Sequence, residues 1–171
     1  MQNLPARTLS ALQILQSSAA FTPTIRQISK EPDSGELAQS VHARVRMNLV
    51  ADALAARVKQ FAIRVVKFAR TLPRDPSGDA IGRQLIRSAT SESANYHAAR
   101  RARSRREFIA KLGVVAEEAD ETEHWLDILR AIPLEPGPEL DALYIESREL
   151  RAIFVQSVRT ARRNQAKNPT P

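Results

Sequence analysis

The sequence predicts an all-α protein, an antiparallel up-down four-helix bundle. Apolar residues recur at spacings of three and four over most of the chain after Met47. Proline-bearing breaks divide that pattern into stretches, and nothing alternates as a strand does. Five glycines among 171 residues, with abundant Ala, Leu, Arg and Glu, agree with helix.

Residues 1–46 read as different material from the rest. They scatter Ser, Thr, Pro and Gln, contain "FTPT" and "KEPDSGE", and hold one short apolar patch at Leu9, Leu12 and Leu15. Such composition marks a disordered leader, or an extension ahead of a true start at Met47. It lacks the apolar centre of a secretory signal. The bundle is expected over residues 47–165, with a flexible tail at 166–171.

The first helix carries Leu54, Val58, Phe61, Val65, Phe68 and Leu72. Pro73 and Pro76 stop it, because proline has no N–H and clashes with the preceding turn. A second helix is expected from about Ser77 to Arg101. The third opens at "SRRE", where Ser104 caps free N–H groups and Glu107 reaches back. Its stripe is Phe108, Leu112, Val115, Ala119, Thr122, Leu126 and Leu129, with Trp125 at the core edge. "IPLEPGPE" breaks the chain at residues 132–139, and Pro138 is placed to open a fourth helix. That helix carries Leu140, Leu143, Ser147, Leu150, Phe154, Ser157 and Ala161.

The second helix is poor in large apolar residues. Two seams fit it, one through Ile81, Leu85, Ser88 and Asn95, another through Gly82, Ala89 and Tyr96, and both contain Glu92. A carboxylate on a buried seam is costly unless paired. Glu92 is therefore expected to find an arginine or to face a subunit boundary. Asn95 and Tyr96 are expected to make structural polar contacts.

With no cysteine, disulfides and thiolate metal sites are excluded. No uncharged apolar run approaches the roughly 20 residues of a membrane-spanning helix. No membrane partner is expected, and the expected location is cytoplasmic. The net charge of +7 and pI near 10.5 favour anionic partners.

"EEADETEH", residues 117–124, contains a Glu-x-x-His pair, Glu121 and His124, the spacing by which di-iron bundles aim two ligands inward. That chemistry needs a second such pair and two further carboxylates, and no second copy exists. The stripe of the third helix also turns Glu121 and His124 outward. The segment is thus a solvated acidic face, or one that docks on a basic neighbour. No nucleophile elbow or glycine-rich phosphate loop occurs. No catalytic residue, metal or cofactor is expected, and the protein is not expected to be an enzyme.

The basic residues are organised. "RRARSRREFIAKL", residues 100–112, packs Arg100, Arg101, Arg103, Arg105 and Arg106 into seven positions. Arg83 and Arg87 share a side of the second helix, and Arg148, Arg151, Arg159 and Arg162 a side of the fourth. Few aromatics lie between them, so phosphate contact is a better fit than base stacking. A plain solvated charge run is the competing reading.

The segment "RSATSESANYHAARRARSRREFIAKLGVVAEEADETEHWLDIL" resembles the four helix bundle proteins related to the 23S ribosomal RNA intervening-sequence proteins. Their superfamily includes the accessory variability proteins of diversity-generating retroelements. Gln84-Leu85, Arg87-Ser88, Ala94-Asn95-Tyr96, Phe108-Ile109, Lys111-Leu112, Glu118 to Thr122 and Trp125-Leu126 carry the likeness, which runs from about Leu54 to Arg159. Glu92 stands where the family tends to an apolar residue, and Ala89 and Ser93 where it tends to glycine. The resemblance implies a homopentamer and, for the retroelement members, a basic surface that binds nucleic acid and a reverse transcriptase. It implies no catalytic residue.

The expected function is therefore non-enzymatic binding of RNA or DNA through phosphates, with a reverse transcriptase as a further partner. Arg100, Arg101, Arg103, Arg105 and Arg106 are expected to make the contact, helped by Arg83, Arg87 and Arg159. Glu92, Asn95, Tyr96 and Trp125 are expected to be structural or interface residues. The alternative is an oligomeric protein-interaction scaffold that binds no nucleic acid.

Overall fold

The computed structural model describes residues 34–132 and 137–167. Among these residues are four helices: α1 (Ser34–Ala69), α2 (Pro76–Ala99), α3 (Arg105–Ala131) and α4 (Gly137–Lys167). Successive helices pack strongly, α1 meets α4 more thinly, and the backbones of the diagonal pairs stay further apart, so that α2 and α4 meet through the Tyr96 and Phe154 rings. Arg100, just after α2, pairs with Asp52 at the middle of α1. At the other end Gly82, near the start of α2, lies against the Leu72 side chain just after α1. The two helices are thus antiparallel. Arg105 at the start of α3 likewise reaches the carbonyl of Asn164, close to the end of α4.

Burial follows the expected stripes closely. Leu54, Val58, Phe61, Val65, Phe68 and Leu72 are all in the core, although Leu72 lies in the turn beyond α1. All seven expected positions of α4 are buried, joined by Ile153, Val158 and Thr160. In α3, Ile109 takes the buried place expected for Phe108, which packs half-buried against the core. Of the two seams drawn for α2, the one through Gly82, Ala89, Glu92 and Tyr96 is buried whole, and the other only in part. The buried set is Gly82, Leu85, Ser88, Ala89, Glu92, Tyr96 and Ala99, so Ile81 and Asn95 sit at the margin. Both seams are narrow, and the small residues let two neighbouring helices share one broad face of α2.

The helix starts are chemically explicit. Asp75 caps α2: Oδ1 accepts from the Ser77 and Gly78 N–H groups at 2.9 and 2.8 Å, and Pro76 supplies the first turn. These bonds to Ser77 and Gly78 lower the Asp75 pKa. The sequence-based start at Ser77 missed this cap, although Asp-Pro-Ser signals it. Gly78 is required here, because a Cβ would stand 2.1 Å from the Pro73 carbonyl oxygen. At α3, Ser104 Oγ accepts from Glu107 N–H at 3.0 Å. Glu107 reaches back as expected, but to the Arg103 N–H, at 2.8 Å.

α1 crosses the expected boundary at Met47. Residues 34–46 are helical, yet Val41, Val45 and Leu49 are 55%, 53% and 64% exposed, so this stretch runs beyond the packed core. Residues 1–33 of the expected leader and 168–171 of the expected tail lie outside the described residues, whereas 166 and 167 continue α4. None of the helices described is long and apolar enough to cross a membrane.

Candidate nucleic-acid interface

The antiparallel course brings the turn between α2 and α3, the end of α4 and the first half of α1 to one end of the molecule. Arg100, Arg101, Arg103, Arg105 and Arg106 gather there with Arg159, Arg162, Arg163 and Lys167 of α4. Negative charge at that end is sparse. Arg100 is tied to Asp52, and Arg103 lies 3.7 Å from Glu107 with 92% of its side chain exposed. Glu107 is also 3.9 Å from Lys111 and holds the helix cap. Arg101, Arg106 and Arg159 are exposed and have no ion-pair partner among the described residues.

Two expected contributors lie elsewhere. Arg83 is 17 residues before Arg100, which at 1.5 Å per residue puts it about 25 Å away along α2. Arg87 is engaged with Glu121 and, at 3.7 Å, with Glu118. Its hydrogen bond to Glu121 raises the guanidinium pKa and lowers that of the carboxyl. Arg151 is held by Glu123 and Asp120.

The acidic segment is largely consumed in these pairs. Trp125 is half-buried at the core edge, as expected, and its indole N–H donates to Glu121 at 3.2 Å. Glu121 is thus turned to Arg87 and Trp125, while His124 is exposed and stacks edge-on against Trp125. No cluster of three or more His, Asp or Glu suited to a metal occurs among the described residues.

The polar core residues divide. Asn95 donates to the Ser91 carbonyl one turn back at 3.0 Å, a local bond that sets no register between helices. Tyr96 is buried with its ring 5.3 Å from that of Phe154, and burial pushes its phenol up to about 12. Glu92 corrects the sequence reading. It is 1% exposed inside its own bundle, and neither carboxylate oxygen has a hydrogen-bond partner among the described residues. It finds no arginine. Burial, then the negative charges of Glu146 and Glu118, raise its pKa to about 8.

Four helices, a buried unpaired acid and one basic end define a small, basic all-α protein. The model of the 23S rRNA-intervening sequence protein family matches residues 54–156. The chain belongs to that family. The match contains the arginine-rich turn and ends just short of Arg159. Among solved structures, a Bacteroides thetaiotaomicron protein of unknown function from the S23 ribosomal protein family is similar, with a TM-score of 0.56 and 27% identity over 64% of this chain and 97% of that one. A search of curated proteins gives no match.

Proposed function

We propose that this protein binds RNA or DNA, without catalysis, through phosphate contacts at its basic end. The observation that carries the reading is the convergence of the α2–α3 turn with the last turns of α4, where Arg101, Arg106 and Arg159 are exposed and free of carboxylates among the described residues. Like charges gathered this way repel one another, and a polyanion relieves that repulsion while releasing counterions. Arg105 serves more as a brace, since it bonds the Asn164 carbonyl. Arg87, held by Glu121, contributes least.

The test is a salt series with an RNA oligomer and a DNA duplex of equal length. Replacing Arg101, Arg103 and Arg106 with Ser is expected to weaken both, irrespective of base sequence, because phosphate contacts position without specifying. The slope of log affinity against log salt becomes shallower by up to about 2.7 for the duplex, from about 0.9 per phosphate. Equal slopes for wild type and variant would reduce the turn to a solvated linker. Self-association as a homopentamer and partnership with a reverse transcriptase belong to the same reading, through the resemblance. Light scattering and co-purification with a reverse transcriptase encoded nearby test them separately.

A further inference from the structure

A groove of about 540 Å³ runs between α1 and α2. Its walls come from one face of each helix. On α1 the lining residues follow helical spacing from Lys59 to Lys67, with Arg70 just past its end, and on α2 they run from Thr90 to His97. The floor is apolar: Ala62 is buried, Ile63 and Val66 are half-buried, and Ala94 is exposed. The small side chains of α2 leave this floor open, where a bulkier row would have filled it. Lys59, Lys67, Arg70 and His97 are exposed along the rim, and no carboxylate lines the groove. Lys59, Lys67 and Arg70 have no ion-pair partner among the described residues, although Arg57 and Arg64 on the same helix are both paired.

We infer that this groove docks an acidic amphipathic helix of a partner protein. Two antiparallel helices with an apolar trough between them present the surface on which a third helix packs. Eleven residues separate Lys59 from Arg70, about 16 Å or three turns of helix, which matches apolar anchors at i, i+3 or i+4, and i+7 on the incoming segment. The cations flank the floor, so carboxylates beside those anchors meet charge of opposite sign. Nucleic acid suits the groove less well, since the floor between the cations is mainly aliphatic, His97 is the one ring among the described residues that lines it, and the Thr90 hydroxyl is engaged with the Ile86 and Arg87 carbonyls. The His97 end of the groove comes within a turn of Arg101, but its floor and the Lys67 and Arg70 rim lie further along, and peptide binding is read separately from the phosphate contacts assigned to the turn.

The experiment uses the full chain and a labelled synthetic helix of about four turns, with leucines on one face and glutamates on both flanks. A scrambled peptide of the same composition, its leucines spread around the helix, is the control. Fluorescence anisotropy should show the amphipathic peptide binding at least about tenfold more tightly than the scrambled one, with affinity falling as salt rises. The exposed pair Lys59→Glu and Lys67→Glu should weaken binding by about tenfold or more with no change in helicity. Ala94→Glu, which puts a carboxylate on the floor, should act in the same direction. Equal affinity for both peptides, or equal affinity of wild type and variants, overturns the proposal. So does a change in the protein's own sedimentation on reversing the lysines, which would make the groove a contact between copies. Loss of RNA binding in the lysine variant, with the peptide unaffected, would make it a phosphate surface and overturns it too.

Discussion

Glu92 is where one residue has the largest consequence. A carboxylate that is 1% exposed and accepts no hydrogen bond from the described residues is disfavoured as an anion, and the like charges of Glu146 and Glu118 add to the penalty. Arg57, which faces this region from α1, is already engaged with Glu146. The folded pKa of about 8 lies above the ordinary value of 4.5, so the native state holds this proton more tightly than the unfolded chain. Below pH 4.5 both states are protonated and Glu92 takes nothing from stability. Between 4.5 and about 8 the contribution falls by about 1.4 kcal/mol per pH unit, and it levels off above. Glu92→Gln should abolish that decline. The measurement is the difference in unfolding free energy between wild type and variant over pH 4 to 9. A difference that does not vary with pH would mean the carboxyl titrates in the folded protein as it does in the unfolded chain. Glu92→Val should keep the fold and raise stability at neutral pH, because it removes a carboxyl that must take up a proton on folding and is then buried without a hydrogen-bond partner among the described residues.

At the scale of the helix, the ends rather than the middles are the sensitive points. Ser104 satisfies the Glu107 N–H at the start of α3, and Ser104→Ala should cost about 1 kcal/mol in chemical denaturation. Gly78 is a sharper case. Alanine ordinarily stabilises a helix relative to glycine by about 0.8–1 kcal/mol. Here its Cβ would overlap the Pro73 carbonyl oxygen, which belongs to backbone and cannot swing aside. Gly78→Ala should therefore destabilise the protein, by about 1–3 kcal/mol. An unchanged or higher melting temperature would show that the Pro73 turn yields freely.

For the molecule as a whole, the seam between α1 and α4 is the weak side. It is the thinnest of the contacts between neighbouring helices, and ion pairs fasten it. Arg57 forks onto Glu146 at 2.6 and 2.8 Å and also reaches Glu149 at 2.5 Å. Hydrogen bonding to Glu146 raises the Arg57 pKa, so the cation persists at any working pH. Arg64 binds Glu139 at 3.0 Å further along. Arg57→Ala should cost about 1.5–3 kcal/mol, the range for hydrogen bonds to charged groups, and the loss should shrink in high salt. The part of α1 before the packed core adds little by comparison, because its apolar side chains at Val41, Val45 and Leu49 remain exposed. A shortened chain beginning at Met47 should keep its helicity and melt within a few degrees of the full chain. A larger drop would place residues 1–46 on the bundle.

Three-four spacing by itself determined the four helices and nearly all of their buried faces, since a straight helix turns every fourth residue back to the same side. Large side chains made that pattern unambiguous in α1, α3 and α4. On α2 it left two seams open, because Ser, Ala and Gly bury equally well in several rotations. Both placed Glu92 inward, but only the neighbours decided that Tyr96 is buried while Ile81 and Asn95 stay at the margin. The same holds for the surface. The sequence displayed the arginine run from 100 to 106, but not that α4 would bring Arg159 beside it or that Arg83 would lie far along α2. It could not show that Glu121 would occupy Arg87. Nor could it show the basic groove, whose two walls are 20 or more residues apart in the chain. Helical periodicity is local and can be read along the chain; which charges meet, and which stay free, depends on distances that only packing sets.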